Sequence, residues 1–215
     1  MPTSSPQNSA NTPLAIASST PVSSKPTLPL KAIRMVDARN GWALTASSIL
    51  KTVDGGLHWN DMAPANAEIN RDARGQFMSM QDSWIAIGPA NQQEGPGITV
   101  LRTTDGGVSW QRSSIPDPTA PRVDIPHFIN MKQGWLEMSS TPGAGSAGSD
   151  IWHSTDGGQT WTKLASNKSS NGLNLGYVTG ISFRDALLGI ATGNLGAGGD
   201  NTYVLNASHA WATDT

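Results

Sequence analysis

Apolar residues in this chain come in short consecutive runs, cut apart by turns rich in glycine and proline. Trp42-Ala43-Leu44, Trp84-Ile85-Ala86-Ile87 and Trp135-Leu136 are apolar on successive positions. A strand of that kind is covered on both faces, as when one sheet stacks upon another. No long stretch carries the 3.6-residue periodicity of a helix, and glycine and proline interrupt the chain too often for one. Between residues 76 and 113 the pattern predicts four strands, at about 76–80, 84–88, 99–104 and 109–113, with turn signals between them.

The same unit recurs. Thr52-Val53-Asp54-Gly55-Gly56-Leu57-His58-Trp59 aligns with Thr103-Thr104-Asp105-Gly106-Gly107-Val108-Ser109-Trp110 and with Ser154-Thr155-Asp156-Gly157-Gly158-Gln159-Thr160-Trp161. Asp54 to Asp105 is 51 residues, and Asp105 to Asp156 is 51 again. A fourth, degenerate copy falls at Asn206-Ala207-Ser208-His209-Ala210-Trp211, where Asn206 stands in the place of Asp and both glycines are gone. A second series, Gly41-Trp42, Ser83-Trp84, Gly134-Trp135 and Gly189-Ile190, keeps step with the first, so that seven of the eight tryptophans belong to the repeat. Four-stranded antiparallel units at a fixed period predict an all-β chain, a β-propeller with about four blades. The repeats fall at about 32–66, 76–116, 124–166 and 177–215.

Residues 1–31 read differently. Of the first thirty, 17 are Ser, Thr or Pro and Lys25 is the sole charge, a composition that cannot bury enough apolar surface to offset chain entropy. A disordered linker or stalk is expected there, and no stretch in it has the basic start and apolar run of a secretory signal. Composition then narrows the function. Fourteen basic against 16 acidic side chains leave no excess to neutralise phosphates, so nucleic acid is not an expected partner. Without cysteine there is no disulfide framework and no Cys-ligated zinc. No apolar run reaches the ~20 residues of a membrane span. His58, His127, His153 and His209 lie too far apart in the sequence to suggest a metal site, and the Gly-Gly pairs do not open a helix as a phosphate loop does, so no cofactor is expected.

The acidic corners invite a functional reading and a structural one. Asp-Gly between two strands is a hairpin signal, because glycine takes positive φ freely while the carboxylate accepts bonds from nearby N–H groups. Thr52, Thr103 and Ser154 stand ready to add a hydroxyl bond to the same corner. Three equivalent acids would otherwise require three equivalent active sites, so Asp54, Gly56, Trp59, Asp105, Gly107, Trp110, Asp156, Gly158, Trp161, Asn206 and Trp211 are expected to be structural. Three residues before each acid sit Lys51, Arg102 and His153, with Tyr203 breaking the series. Two readings stay open: their stems pack along a tryptophan while the charged ends reach water, or they form a basic arc that recognises an acidic protein surface.

Ser/Thr-x-Asp-x-Gly-x-Thr-Trp resembles the Asp-box, or BNR repeat, of sialidases and sortilin-like receptors. The resemblance implies a structural hairpin away from any active site. His58 and Ser109 are mild departures from it. Residues 33–44 with 49–56, and Phe128-Ile129-Asn130-Met131-Lys132-Gln133-Gly134-Trp135, are more closely similar to the repeat of the photosystem II stability and assembly factor family, over about residues 32–211. That resemblance implies a non-enzymatic propeller that holds a protein partner, a membrane-protein intermediate, on the outer side of a membrane (periplasmic, lumenal or cell-surface). The alternative is a fragment of a sialidase-like glycoside hydrolase or a carbohydrate-binding propeller. A sialidase resemblance implies a Tyr nucleophile with Glu, an Asp acid/base and three arginines on the substrate carboxylate. This chain offers only Tyr177 and Tyr203, and Glu68, Glu94 and Glu137, and no Arg-Ile-Pro precedes its first box. Propellers of these families close with six or seven blades, so four are expected to close as a small ring, to be part of a longer propeller, or to leave two open sheet faces that a second copy completes. If each exposes about 250 Å² of apolar surface, burial of roughly 12 kcal/mol is forgone, and self-association through those edges is an expectation.

Overall fold

The computed structural model describes residues 29–90, 97–116, 122–140, 148–166, 177–194, 200–206 and 212–213. Masses of glycine-punctuated apolar runs form strands here because no run is long enough for a helical turn to bury one face. Among the described residues there is no α-helix, and none long and apolar enough to cross a membrane. The stalk expected at 1–31 lies almost wholly outside the described residues.

Four antiparallel sheets follow one another along the chain. The first holds β1 (Ala32–Met35), β2 (Gly41–Leu44), β3 (Ile49–Thr52) and β4 (Asn60–Asp61). The second holds β5 (Arg74–Phe77), β6 (Ser83–Ile87), β7 (Ile98–Thr103) and β8 (Gln111–Ile115). The third holds β9 (Arg122–Val123), β10 (His127–Phe128), β11 (Gly134–Ser139), β12 (Ser149–Ser154) and β13 (Thr162–Ser166). The fourth holds β14 (Tyr177–Phe183), β15 (Leu188–Asn194), β16 (Asp200–Asn206) and β17 (Ala212–Thr213). Strands pair in chain order, except that β9 also joins β11 beside β10. This is the propeller blade, four short strands in a meander, and the all-β reading of the sequence holds. The predicted fourth strand of the second blade starts two residues late: the corner after Asp105 runs through Trp110, and pairing begins at Gln111.

Successive side chains on each second strand point to opposite neighbours, which explains why those strands are apolar throughout. Trp42 and Leu44 meet Phe77, Ile85, Ile87 and Leu101 of the second blade. Ala86, Ile98, Val100 and Ile115 of the second blade meet Val123, Leu136 and Met138 of the third. Trp135, Ile151 and Ala165 meet Val178, Phe183 and Ala191 of the fourth. In every junction the fully buried indole of one blade lies flat on a phenylalanine that ends or nearly ends the first strand of the next. Trp42 stacks on Phe77 at 5.7 Å, Trp84 on Phe128 at 4.2 Å and Trp135 on Phe183 at 3.8 Å between ring centroids. Truncating such a ring to alanine costs about 3–5 kcal/mol.

Candidate functional site: corners, staples and a mixed-charge cleft

Each acidic corner is a closed set of hydrogen bonds. In the second blade Thr103 Oγ1 donates to Asp105 Oδ1 at 2.8 Å and accepts from Gly107 N at 2.9 Å, while Ser109 donates its N–H to Oδ1 and its hydroxyl to Oδ2 at 2.6 Å. The third blade repeats this with Ser154, Asp156, Gly158 and Thr160. In the first, Thr52, Asp54 and Gly56 keep their roles and the His58 ring meets Asp54 Oδ2 at 2.6 Å. The bonds from Ser109 hold the Asp105 carboxyl down at about 2. Burial pushes Asp156 up, but the bonds led by Thr160 outweigh it and hold that acid at about 2 as well. Gly106 and Gly107 sit at φ +76° and +89°, where an L side chain is strained. Carboxylates so fully committed to N–H and O–H donors are poor candidates for chemistry on a substrate. Asn206 ends β16, and Trp211 lies outside the described residues.

The basic series has a place of its own. Lys51 pairs across the sheet with Trp42, and its ammonium stands over that indole at 4.9 Å. From there it donates to Met80 O and Gly106 O, both 3.0 Å away on the second blade. Arg102, opposite Trp84 and 5.8 Å above its ring, donates to Met131 O and Asp156 O of the third blade, each at 3.3 Å. Both cations therefore reach the corner of the following blade. His153 pairs with Trp135 in the same register and stacks on it at 4.7 Å, but its Nε2 meets Gln133 Oε1 of its own blade at 2.9 Å. Burial lowers the Lys51 and His153 pKa values.

A different group of residues lines a cleft of about 400 Å³ where the first strands of blades two, three and four approach one another. Arg74 comes from β5 and Asp72 from the segment before it; Arg122 and Val123 form β9, and Asp124 follows. Glu137 and Ser139 come from β11, and Val178 and Thr179 from β14. Glu137 is 4% exposed, and its Oε1 has no hydrogen-bond partner among the described residues. Burial, reinforced by the charges of Asp124 and Asp150 and partly offset by a hydrogen bond from Ser149, pushes its carboxyl up to about 8. Its register explains why it is odd: Leu44 and Ala86 occupy the same place, two residues after the tryptophan, in the first two blades. Sequence reading passed over it, although an acid inside an otherwise apolar strand was the visible signal. Among the described residues no group of three His, Asp or Glu is placed to hold a metal ion.

No family model matches the chain, and no curated protein matches it. Solved structures do. "YCF48 bound to D1 peptide" matches with a TM-score of 0.52 at 19% identity, covering 88% of this chain and 55% of that one. "YCF48 from Cyanidioschyzon merolae" matches with a TM-score of 0.51 at 20% identity, covering 88% and 57%. A neuraminidase-like protein of A/little yellow-shouldered bat/Guatemala/060/2010 reaches a TM-score of 0.43 at 11% identity over 80% and 54%, too low for any argument about chemistry. The chain thus spans little more than half the length of the YCF48 structures it matches. At these identities the likeness establishes the fold: this chain is built as a β-propeller.

Proposed function

We propose that the chain is a non-enzymatic propeller scaffold that captures an extended segment of a protein partner in the cleft between the first strands of blades two to four. The observation that carries the reading is the cleft itself. It has the size of ordinary ligand pockets, about 300–1,000 Å³, and it gathers Asp72, Arg74, Arg122, Asp124 and Glu137 at one place. Such a mixture of hydrogen-bonding and charged groups suits a peptide's alternating polar backbone and side chains. A propeller of the same fold has been solved with a D1 peptide, which supports the same class of ligand here. The hydrogen-bonded corners support the Asp-box reading and a structural role for Asp54, Asp105 and Asp156. Lys51 and Arg102, with their charged ends on backbone carbonyls, are better suited to hold blades together than to meet a partner.

The test is selection of a displayed random peptide library on the full chain, followed by titration of the recovered peptides against Arg74→Gln, Arg122→Gln and the corner variant Asp105→Asn. Peptides that lose at least about tenfold in affinity on both cleft variants and little on the corner variant support the reading. Recovered peptides indifferent to the cleft variants, or turnover of a fluorogenic sialoside, contradict it.

A further inference from the structure

The cleft sets Arg74 and Arg122 against Asp72 and Asp124, yet the charges that act on Glu137 are of one sign. The charges acting on Glu137 are the carboxylates Asp124, on the segment after β9, and Asp150, on β12. Asp150 is itself paired with Lys163 of β13 at 2.5 Å, so that cation is already engaged. At the rim, Arg74 donates to Ala73 O at 3.0 Å, and Asp72 lies 3.7 Å from Arg71. Arg122 stands on β9, and the residues that β14 contributes, Val178 and Thr179, are uncharged. One oxygen of Glu137 is thus buried with no donor, under the charges of Asp124 and Asp150, on a residue that lines an open cleft. A cationic donor brought by a ligand supplies what that oxygen lacks.

The geometry also chooses between cations. Ser149 already donates to the Glu137 carboxyl while accepting from Val178 N at 3.2 Å. A guanidinium needs two free oxygens to bind as a fork, whereas an ammonium on a thin four-carbon stem needs one and reaches deep. We propose that the cleft is a receptor for a lysine side chain of the captured peptide, with Glu137 as its counter-ion at the floor and Asp124 beside it. This rests on the peptide-binding reading above and names the side chain it selects.

Ionised Glu137 is the binding form, so affinity rises with pH as its carboxyl loses its proton near 8, while lysine, with a pKa near 10.4, stays charged. The experiment follows the methyl resonances of Val123 and Val178 in the full chain during titration with Nα-acetyl-lysine N-methylamide, its Nε-acetylated form and the arginine analogue. The inference requires saturable shifts with the lysine probe, affinity on the order of tenfold higher at pH 9 than at pH 6.5, and weaker binding of the other two probes. It also requires that Glu137→Gln bind at least about tenfold more weakly at pH 9, with a flat pH profile. Glu137→Ala serves if the glutamine variant folds poorly, since Ala86 occupies that register in the second blade. Equal binding of the acetylated probe, affinity that falls as pH rises, or undiminished binding to a folded Glu137 variant overturns it. Library peptides that engage the cleft without any preference for lysine sink this inference and leave the peptide-binding reading standing; a library with no cleft-dependent peptide sinks both.

Discussion

The junction between blades one and two and the junction between blades three and four are built on one plan and finished differently. In the first, Trp42 lies on Phe77 and gives its indole N–H to Ser79 O at 2.9 Å, Leu44 fills the space two residues on, and Lys51 clamps the next corner. In the last, Trp135 lies on Phe183, but its indole N–H has no partner among the described residues. Glu137 stands in the leucine's place, and His153 turns back to its own blade. The middle junction follows the first, with Trp84 Nε1 donating to Gly157 O at 2.8 Å and Arg102 as the clamp. Stacked blades need only repeat a ring and a cation to hold together. Where the repeat keeps the ring and loses the cation, Trp135 Nε1 and Glu137 Oε1 are left without partners among the described residues.

The largest effect that separates the junctions comes from the rings. Trp84→Ala is expected to lose about 3–5 kcal/mol in denaturant unfolding. Trp84→Phe should cost more than Trp135→Phe, because only the former gives up an indole hydrogen bond. Equal losses from the two phenylalanine variants contradict the contrast. Next in size is a pH effect confined to the last junction. Glu137 ionises near its ordinary value of 4.5 in the unfolded chain and near 8 in the folded one. Its contribution is complete below about 4.5 and is lost as pH rises toward 8, at up to about 1.4 kcal/mol per pH unit. Glu137→Gln should flatten that decline between pH 5 and 8, and an unchanged slope argues against the buried carboxyl.

A smaller effect comes from the clamps. Arg102→Met keeps the stem over Trp84 and removes the charged hydrogen bonds, at a cost of about 1.5–3 kcal/mol, whereas His153→Met should cost less because His153 spans no junction. The smallest concerns a pair near the inner edge. Gln76 reads both backbone groups of Phe128, donating to its O at 2.9 Å and accepting from its N–H at 2.7 Å. His127, in the same register, accepts from Phe183 N at 3.1 Å through Nε2, and one ring nitrogen cannot donate in the same moment. His127→Gln is expected to raise the unfolding free energy by up to about 1 kcal/mol; no gain in the denaturation midpoint counts against the comparison.

Much of this was legible beforehand, and the reason is periodicity. Asp54, Asp105 and Asp156 stand at one interval, and that interval alone set the blade length and predicted the meander. Lys51 and Arg102 were visible as a series, yet their destination was not: a cation's partners here are backbone carbonyls of the next blade, and a carbonyl leaves no mark in the residue alphabet. Phe77, Phe128 and Phe183 were harder to see as one set, because the last interval is longer than the one before it. Glu137 escaped for the opposite reason. It is a departure from a repeat, and it acquires meaning only when Asp124, after β9, and Val178, on β14, are brought beside it. Sites made by three blades at once are the part of a propeller that a repeat does not encode.

The most direct test of the contrast between junctions is native-state hydrogen exchange followed residue by residue. Amides of β2 and β6, in the clamped pair of blades, should open with one common free energy near that of global unfolding. Those of β15, behind the unclamped junction, should open at a clearly lower free energy, and the gap should widen as pH rises toward 8. Protection of β15 equal to that of β6 at every pH contradicts the account.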